Sequence, residues 1–430
     1  METAALREKP RADEPTVPVP AVPRPRQTDG ADAQPLRLLT YTTLYPHAGA
    51  PNTGIFVENR LRHLVATGEA QSVVLAPTPI VPRFAMRNPE WAKWAGAHPV
   101  EVRHGLRVEH PEYVLLPKGM NVAPRLLYPA SARALARLLR AGHQFDLIDA
   151  HYAYPDGVVA AWLARRFKLP VTITARGSDV TELPAFRVPR RLIRGAFDAA
   201  DAVITVSTGL RDAVIALGIP PEKVVVLRNG VDLDAFRPVD RPAARAALGF
   251  SRPTLLSVGH LIERKGHALT IEALAALPDW QLLIVGSGPD RAALEALARR
   301  LAVADRVSFL GQVPHAQLPA YYTAADLLVL ASEREGWANV LLESMACGTP
   351  VVASPIPGNP EVVQERAAGL IMPERSASGI VAGVRDLAAD MPSRTATRAY
   401  AERFSWAATS QGQLDLFRAI LDSRRLRGAL

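Results

Sequence analysis

The sequence predicts an α/β protein in which two doubly wound parallel sheets face each other across a cleft. The chain has 430 residues, of which 48% are hydrophobic and 21% are charged, so it can build two globular domains of ordinary size. Short apolar runs rich in Val, Ile and Leu alternate with helical patterns, as expected for parallel strands buried on both faces. A turn-rich stretch near residues 229–238 separates two such series. We therefore expect two Rossmann-like domains.

The predicted strands follow in order along each half. In the first half they are Leu36–Tyr41, Ser72–Ala76, Asp146–His151, Val171–Ala175, Ala202–Ser207 and Val224–Leu227. In the second half they are Thr254–Gly259, Gln281–Gly286, Val307–Leu310, Asp326–Ala331, Pro350–Ser354 and Gly369–Met372. The insertion Val100–His110 alternates around a His-Gly pair, which predicts a small hairpin. Since doubly wound sheets bind ligands at the carboxyl ends of their strands, we expect the site at these edges.

The sequence divides into four predicted segments. Residues 1–35 are rich in proline, carry mixed charge and show no apolar periodicity, which predicts a disordered tail. Residues 36–238 and 239–408 are predicted to form the first and second domains. Residues 409–430 are predicted to form a C-terminal helix.

Composition argues against several classes of protein. No run approaches 18 uninterrupted apolar residues, and the proline-rich tail lacks an apolar signal segment, so we expect a cytoplasmic protein. The single cysteine, Cys347, excludes an internal disulfide and a multi-cysteine metal site. The basic stretches lack the interleaved aromatic residues or zinc spacing of nucleic-acid-binding proteins, so no nucleic-acid partner is expected.

The net charge is +8, with its excess in the first half. One stretch there combines arginines and apolar residues at helical spacing: Arg187, Arg190, Arg191, Leu192, Ile193, Arg194 and Phe197. Two interpretations remain open. The stretch is either an ordinary solvated surface, or it makes a peripheral contact with anionic lipid at the inner face of the membrane.

The most informative segment is Ser332–Val352, in which two glutamates flank the start of a predicted helix. Gly336 follows Glu335 and allows a sharp turn, and the helix that carries Glu343 ends near Gly348. Free amide groups at the helix start suit a diphosphate, and the carboxylates can accept hydrogen bonds from sugar or ribose hydroxyls. The next amides along the chain, among them those of Trp337, Asn339, Val340 and Leu341, can therefore point at a ligand. The alternatives are a structural pair of glutamates and the acid/base pair of a hydrolase.

Two other turns of the second half carry candidate ligand groups. Arg264 and Lys265 lie between a strand end at His260 and a helix start, where cations suit a pyrophosphate or merely decorate the helix. Gly286 and Gly288 form a G-x-G turn after a strand. The third glycine of a dinucleotide fingerprint is missing, and the next strand ends in Gly-Gln instead of an acid, which argues against a nicotinamide cofactor.

In the first half the candidates also follow strands. His151 ends one strand, and Arg176 and Asp179 follow the next. An isolated histidine at a strand end is usually structural, and Asp179 could simply cap the following helix. Gly54 closes a glycine-containing turn after the first strand, where the backbone could approach a phosphate.

Together these motifs resemble family 4 of the glycosyltransferases, which are retaining enzymes of the GT-B fold. The resemblance rests on Glu335-x7-Glu343, on Lys265-Gly266, on Asp-Ala-His151 and on Thr-Ala-Arg176-Gly-Ser-Asp179, and it extends from about Leu36 to the last helix. Within the family, the chain is similar to bacterial transferases of envelope-polysaccharide and teichuronic-acid type. The resemblance implies transfer of a sugar from a nucleotide-diphosphate-sugar donor to a glycan or lipid-linked acceptor, in cell-envelope or exopolysaccharide synthesis.

The resemblance also implies roles for individual residues. Glu335 would bind donor-sugar hydroxyls, Glu343 the ribose, and Lys265 with Arg264 the leaving diphosphate. Gly286 and Gly288 would lie at the nucleotide end, and Gly54 in the glycine loop of the first domain. His151, Glu335 and Lys265 are the predicted catalytic residues. His260 and Arg176 replace the family's usual Arg and His, so they are assigned, with Asp179, to acceptor contacts or to supporting positions.

Further implications concern cofactors and connectivity. No cofactor and no metal are expected, because no D-x-D motif occurs in a suitable place. The C-terminal helix would cross back to the first domain. Two kinds of alternative remain: a sugar phosphorylase or nucleotide-sugar epimerase of the same fold, and a non-catalytic nucleotide-sugar-binding protein.

Overall fold

The structure is a computed structural model that describes residues 34–82, 87, 89–116 and 119–428. The predicted disordered tail, residues 1–35, lies outside the described residues apart from its last two. The remainder contains two parallel sheets, each covered by helices, and a long C-terminal helix.

The first lobe is built on an eight-stranded sheet. Its strands and two short extra strands are β1 (Leu36–Tyr41), β2 (Ala70–Leu75), β3 (Thr78–Pro79), β4 (Val100–Arg103), β5 (Leu106–Glu109), β6 (Glu112–Tyr113), β7 (Leu147–His151), β8 (Val171–Ala175), β9 (Ala202–Thr205) and β10 (Val224–Val226). The sheet order is β10-β9-β8-β7-β1-β2-β5-β4. Neighbours are parallel except β4 and β5, which form the predicted hairpin. The short pair β3 and β6 was not predicted.

Among the described residues of this lobe, seven α-helices precede the crossing to the second lobe. They are α1 (Ile55–Ala66), α2 (Pro89–Ala92), α3 (Ala123–Arg140), α4 (Val158–Phe167), α5 (Ser178–Thr181), α6 (Arg187–Ala199) and α7 (Thr208–Ala216). The central strands β7 and β8 are buried at every residue, because helices cover both faces of the sheet. This is why their sequences read as apolar runs without alternation.

The second lobe is built on a six-stranded, wholly parallel sheet. Its strands are β11 (Thr254–Val258), β12 (Gln281–Val285), β13 (Val307–Gly311), β14 (Leu327–Leu330), β15 (Val351–Ala353) and β16 (Gly369–Ile371). Its helices are α8 (Arg241–Ala247), α9 (His267–Ala275), α10 (Arg291–Arg300), α11 (Leu318–Ala324), α12 (Asn339–Ala346), α13 (Asn359–Val362), α14 (Ala377–Ala389) and α15 (Arg394–Ala401). The order β13-β12-β11-β14-β15-β16 is that of a Rossmann domain, and the strand order reverses between β11 and β14.

The last helix, α16 (Trp406–Gly428), returns to the first lobe. Its Leu414, Phe417 and Ile420 pack in one buried cluster with Leu38 of β1 and Ile204 of β9. The long apolar side chains of α16 therefore complete the core of the first lobe.

The two crossings between the lobes run side by side. Val231 on the first crossing pairs with Ser405 on the second, and the Val231 amide donates to the Phe404 carbonyl at 2.9 Å. A Cβ placed on Gly230 would lie 2.5 Å from the Trp406 nitrogen, so only glycine allows this approach.

The predicted fold class is confirmed: the protein is α/β, with two Rossmann-like lobes of the GT-B type. Among the described residues, no helix is both long enough and apolar enough to cross a bilayer.

Candidate functional site

The loops after β11 and β14 meet at the point where the strand order of the second sheet reverses. Lys265, from the first loop, donates through Nζ to Glu335 Oε1, from the second, at 2.5 Å. Ser332 Oγ donates to the same oxygen at 2.7 Å. The side chains of Lys265 and Glu335 are 20% and 13% exposed. The cation and the carboxylate predicted to bind different parts of a donor are therefore paired with each other in this structure.

Two glycines allow very close backbone approaches around this pair. A Cβ on Gly266 would lie 2.1 Å from the Ala331 carbonyl oxygen, so the two loops of the second lobe touch through their backbones. A Cβ on Gly336 would lie 1.8 Å from the carbonyl oxygen of Arg176, which belongs to the first lobe. The loop that carries Glu335 thus rests directly on the other lobe.

The G-x-G turn supports the loop that carries Lys265. A Cβ on Gly286 would lie 1.8 Å from the Gly259 oxygen, and a Cβ on Gly288 would lie 2.3 Å from the Leu261 oxygen. Gly54 is similarly restricted, with a φ of +67° and a Cβ position 2.1 Å from the Leu44 oxygen. These contacts explain the three glycines without a ligand, and their predicted donor contacts stay predictions.

In the first lobe, His151 lies at the end of β7, beside the point where the strand order reverses between β7 and β1. Its Nδ1 lies 2.7 Å from Arg176 Nη2, and its Nε2 lies 3.3 Å from Asp149 Oδ2. Burial lowers the pKa of His151 to about 4; Asp149 opposes this shift and Arg176 adds to it. The ring is therefore neutral at pH 7. Since Arg176 can only donate, the proton is on Nε2 and Asp149 accepts it. Both ring nitrogens of His151 therefore make contacts with other side chains of the protein.

Arg176 extends this contact into a buried network. Its Nη1 donates to Asn229 Oδ1 at 3.2 Å, and Arg60 Nη1 donates to the same oxygen at 3.3 Å. Arg60 Nε donates to Gln413 Oε1 of α16 at 2.9 Å. Burial lowers the pKa of Arg176 to about 9 and that of Arg60 to about 10. Both guanidinium groups remain charged at pH 7, with Asp149 as a buried countercharge.

Asp179 shapes the turn that carries Arg176. Its carboxylate accepts from the amides of Ala153 at 2.7 Å, Arg176 at 3.0 Å and Gly177 at 2.7 Å. The side chain is fully buried. In this structure, therefore, Asp179 holds backbone amides at the edge of the cleft.

Glu343 is also paired within the protein. Tyr322 OH donates to its Oε2 at 2.8 Å, and His315 Nε2 lies 3.3 Å from its Oε1. Burial lowers the pKa of His315, but Glu343 and Asp232 outweigh burial, and the net shift is upward. Sequence reasoning missed both partners, because neither lies in a recognisable motif.

The remaining predicted residues of the second lobe differ in their contacts and in their burial. Arg264 Nη1 donates to the Arg334 carbonyl at 3.2 Å, and His260 is exposed. Asn339 Oδ1 accepts from Asn229 Nδ2 of the first lobe at 3.3 Å. Trp337 is 7% exposed. Val340 and Leu341 form the first turn of α12, where the Leu341 side chain is buried in the core, so only its backbone can face a ligand.

The three predicted catalytic residues are linked by direct contacts. Lys265 pairs with Glu335, Gly336 rests on the Arg176 backbone, and the Arg176 guanidinium contacts His151. These contacts bring the three residues to one region where the two lobes touch, with Lys265 and Glu335 on the second lobe and His151 beside Arg176 on the first.

The basic stretch lies on α6, which is amphipathic. Ile193 and Phe197 are fully buried in the first lobe, so these two side chains face its core. The four arginines Arg187, Arg190, Arg191 and Arg194 line an open groove. The exposed apolar residues lie instead at the start of the helix, where Phe186 is 51% and Val188 is 41% exposed.

Two Rossmann-like lobes, with these loops at their inner edges, define the GT-B fold. Residues 56–235 match the profile described as Glycosyltransferase Family 4, and residues 240–404 match the profile described as Glycosyl transferases group 1. The chain belongs to glycosyltransferase family 4.

Related proteins of known name include the D-inositol 3-phosphate glycosyltransferases of actinobacteria. The chain is 33% identical to that of Mycobacteroides abscessus over 65% of this chain and 67% of the relative. It is 40% identical to that of Segniliparus rotundus over 47% of this chain and 48% of the relative. The matched region thus spans between half and two thirds of these relatives.

Solved structures agree with the fold. Sucrose-phosphate synthase from Thermosynechococcus elongatus superposes with a TM-score of 0.72 at 24% identity, covering 90% of this chain and 100% of that one. Anabaena HepE in complex with UDP and glucose superposes with a TM-score of 0.68 at 21% identity, covering 89% and 100%. At these identities the likeness extends to the fold alone.

Proposed function

We propose that this glycosyltransferase is a retaining, metal-independent enzyme that moves a sugar from a nucleotide-diphosphate sugar to a glycan or lipid-linked acceptor of the cell envelope. The observation that carries the proposal is the Lys265–Glu335 pair at the sheet edge, held against Arg176 of the opposite lobe. Retention is proposed from membership of the family.

The donor would replace the contact between Lys265 and Glu335 with contacts of its own. The leaving diphosphate would bind to Lys265, to Arg264 and to the amides at the start of α12. The sugar hydroxyls would donate hydrogen bonds to Glu335. A fixed cation placed where negative charge develops stabilises the transition state more than the ground state. These groups would balance the diphosphate charge without a metal ion.

Glu343 would bind the ribose, with Tyr322 and His315 fixing the direction of its carboxylate. Both carboxylate oxygens have further lone pairs, so a ribose hydroxyl can add to the existing contacts. Gly286 and Gly288 would keep the nucleotide end of the cleft open by allowing tight packing of the loop beneath it.

His151 and Arg176 would form the acceptor side of the gap. Because His151 is neutral and both its nitrogens are occupied, we assign it a positioning role instead of proton transfer. Arg176 supplies a charged guanidinium whose Nε has no partner among the described residues. Asp179 would hold the turn, and the exposed His260 would lie at the entrance on the donor side.

The proposal is tested by incubating the purified chain with UDP-, GDP- and ADP-sugars, with EDTA present, after a thermal-shift screen has ranked the donors. We expect the sugar to be transferred to an acceptor with the same anomeric configuration that it has in the donor. NMR of the product measures this configuration. Loss of transfer in EDTA that is restored by a divalent ion would contradict metal independence, and an inverted product would contradict retention. Products without an acceptor would instead indicate an epimerase, phosphate-dependent cleavage a phosphorylase, and saturable binding without turnover a binding protein.

A second candidate acceptor is a small phosphorylated polyol. The candidate is favoured by the similarity to D-inositol 3-phosphate glycosyltransferases, together with the buried cations Arg176 and Arg60 on the proposed acceptor side. Competition between inositol 3-phosphate, inositol and lipid-linked acceptors for one donor distinguishes the candidates. Turnover only with the phosphorylated polyol would replace the envelope acceptor.

We also propose that the arginines of α6 and the neighbouring Phe186 and Val188 make a peripheral contact with anionic lipid. Four cations on one exposed helix face attract anionic headgroups, and the two apolar side chains can enter the interface. Salt-sensitive binding to anionic vesicles is expected, weakened when Arg187, Arg190 and Arg191 are changed to Gln. Equal partitioning onto neutral and anionic vesicles would remove this contact.

A further inference from the structure

Glu361 of the second lobe reaches across to the first lobe. It lies in α13, after the Pro357-Gly358 turn. Its carboxylate accepts from the Thr208 amide at 2.9 Å, from Thr208 Oγ1 at 2.9 Å, and from Arg228 Nε at 3.0 Å and Nη2 at 2.6 Å. Thr208 and Arg228 both belong to the first lobe. A single carboxylate thus collects four hydrogen bonds from the opposite side.

The receiving surface favours a carboxylate at this position. Thr208 is the first residue of α7, and the amide groups at a helix start carry partial positive charge. Ser207 caps the same helix by accepting from the Leu210 amide at 3.3 Å, so Glu361 adds to an existing cap. A Cβ on Gly209 would lie 2.8 Å from Pro357 Cβ, which extends the contact beyond the charged groups.

Arg228 contacts the second lobe at two points. Besides its pair with Glu361, its guanidinium carbon lies 6.0 Å from the ring centre of Trp337. Trp337 follows Glu335 and Gly336 in the loop between β14 and α12, which we call the donor loop. The backbone of Arg228 is fixed by α16, because the Arg228 carbonyl accepts a hydrogen bond from Thr409 Oγ1 at 2.6 Å. Arg228 is therefore fixed in the first lobe while its side chain lies between Glu361 and the donor loop.

We propose that Arg228 and Glu361 form a closure contact that positions the donor loop. When the lobes meet, Glu361 binds Arg228 and the start of α7, and the anchored guanidinium supports Trp337 and hence the position of Glu335. Both are positioning residues, since neither contacts the reacting groups. The assignment of the loop to the donor rests on the proposed function; the closure contact itself does not.

Four proteins test this proposal: the parent, Glu361→Gln, Arg228→Gln and the double variant. Glu361→Gln keeps the shape of the side chain but removes its charge. The control is Glu295→Gln, which removes a carboxylate paired with Arg291 at 2.9 Å within α10 of the second lobe only. Radii of gyration are measured by small-angle X-ray scattering with and without UDP, and kcat and KM are measured with the best donor.

A larger radius of gyration is expected for Glu361→Gln and Arg228→Gln, and the control should match the parent. For each single variant, kcat/KM should fall roughly ten-fold, as expected for the loss of a coupling between sites, and the double variant should be no worse than either. Raised ionic strength should open the parent and leave the double variant unchanged, because the pair is partly exposed.

Radii of gyration equal to that of the parent in all variants would overturn the closure contact, whatever the activity. A larger radius with unchanged kcat and KM would overturn the positioning of the donor loop. If the parent transfers no sugar, the proposed function fails, while the scattering result still decides whether the closure contact exists. Circular dichroism and thermal unfolding identify a variant that fails to fold; in that case Arg228→Lys, which keeps the charge but loses the two-nitrogen contact, takes its place.

Discussion

The proposed donor side and the proposed acceptor side of the molecule are built in different ways. On the donor side, Lys265 and Glu335 come from two loops of one sheet, and their pair remains partly exposed. On the acceptor side, His151 and Arg176 belong to a buried network that draws Arg60 from α1, Asn229 from the crossing and Gln413 from α16. The donor side is thus free to exchange partners, whereas the acceptor side is fixed by packing. The predictions below test this contrast from the largest expected effect to the smallest.

The largest effect should come from removing the buried cation of the acceptor side. Arg60→Met leaves Gln413 and Asn229 short of a donor and removes a cation near Asp149. Losing hydrogen bonds made by a buried charged group typically costs about 1.5–3 kcal/mol for each bond. Urea unfolding should show a loss of this size. Arg62→Met, at a partly exposed position of the same helix, should change the free energy of unfolding little. Equal losses in both variants would mean that the buried network contributes no more to stability than an arginine at the surface.

On the donor side, Lys265→Ala should affect turnover more than stability. If Lys265 stabilises the leaving diphosphate, kcat should fall roughly 100- to 1,000-fold, the usual effect of removing one preorganised charge donor. Thermal unfolding should change little, because the pair is partly exposed. Lys223→Ala, which removes a contact to the Asp198 carbonyl on the first lobe, is the matched control. Near-normal turnover of Lys265→Ala would refute the role.

The pH dependence of stability should reveal buried neutral histidines in both lobes. Burial lowers the pKa of His151 and of His267 to about 4, from an ordinary value of 6.5. The unfolded chain takes up these protons below pH 6.5, whereas the folded chain does not. Their stabilisation is therefore complete above pH 6.5 and is lost as the pH falls towards 4, by about 1.4 kcal/mol per pH unit for each group.

His151→Gln and His267→Gln should each flatten the fall in unfolding free energy between pH 6.5 and 5. Some slope should remain in each variant, because the other buried histidine is still present. Burial raises the pKa of Asp149, but His151 and Arg60 outweigh burial and the net shift is downward, so this carboxyl affects stability only below its ordinary pKa of 3.8. An unchanged slope in His151→Gln would show that the ring is not held neutral by the network.

The smallest expected effect is a gain in the affinity for a nucleotide. Glu335→Gln removes the carboxylate that pairs with Lys265, so Lys265 becomes available to a nucleoside diphosphate. We expect UDP to bind roughly two- to five-fold more tightly, in keeping with the loss of a partly exposed pair, although turnover falls. Isothermal titration of UDP measures this. Weaker binding of UDP to Glu335→Gln would show that the pair does not compete with the diphosphate.

The same contrast explains what could be predicted from the sequence. The parallel strands were predictable because full burial leaves an uninterrupted apolar run, and β7 and β8 lie within a residue or so of their predicted bounds. The residues proposed to bind the donor could be grouped from the sequence because Glu335, Gly336 and Glu343 follow one another in a single turn and helix. Local spacing is preserved on folding, so a motif can be read directly.

The acceptor side could not be read in this way. Arg60 lies in a helix with the sequence of an ordinary surface, and its burial follows only from the return of α16, 353 residues away at Gln413. The short strands β3 and β6 were missed because two residues show no periodicity. Tyr322 and His315 were missed because contacts with Glu343 depend on how α11 packs against α12. Each of these features is set by tertiary contacts.

The most direct test of the account is a crystal structure with UDP and the donor sugar. We predict that diphosphate oxygens lie within hydrogen-bonding distance of Lys265 Nζ, that Glu335 has moved its contact to a sugar hydroxyl, and that the Arg176–Gly177 turn closes over the sugar. A nucleotide bound elsewhere, with the 2.5 Å contact between Lys265 and Glu335 intact, would contradict it.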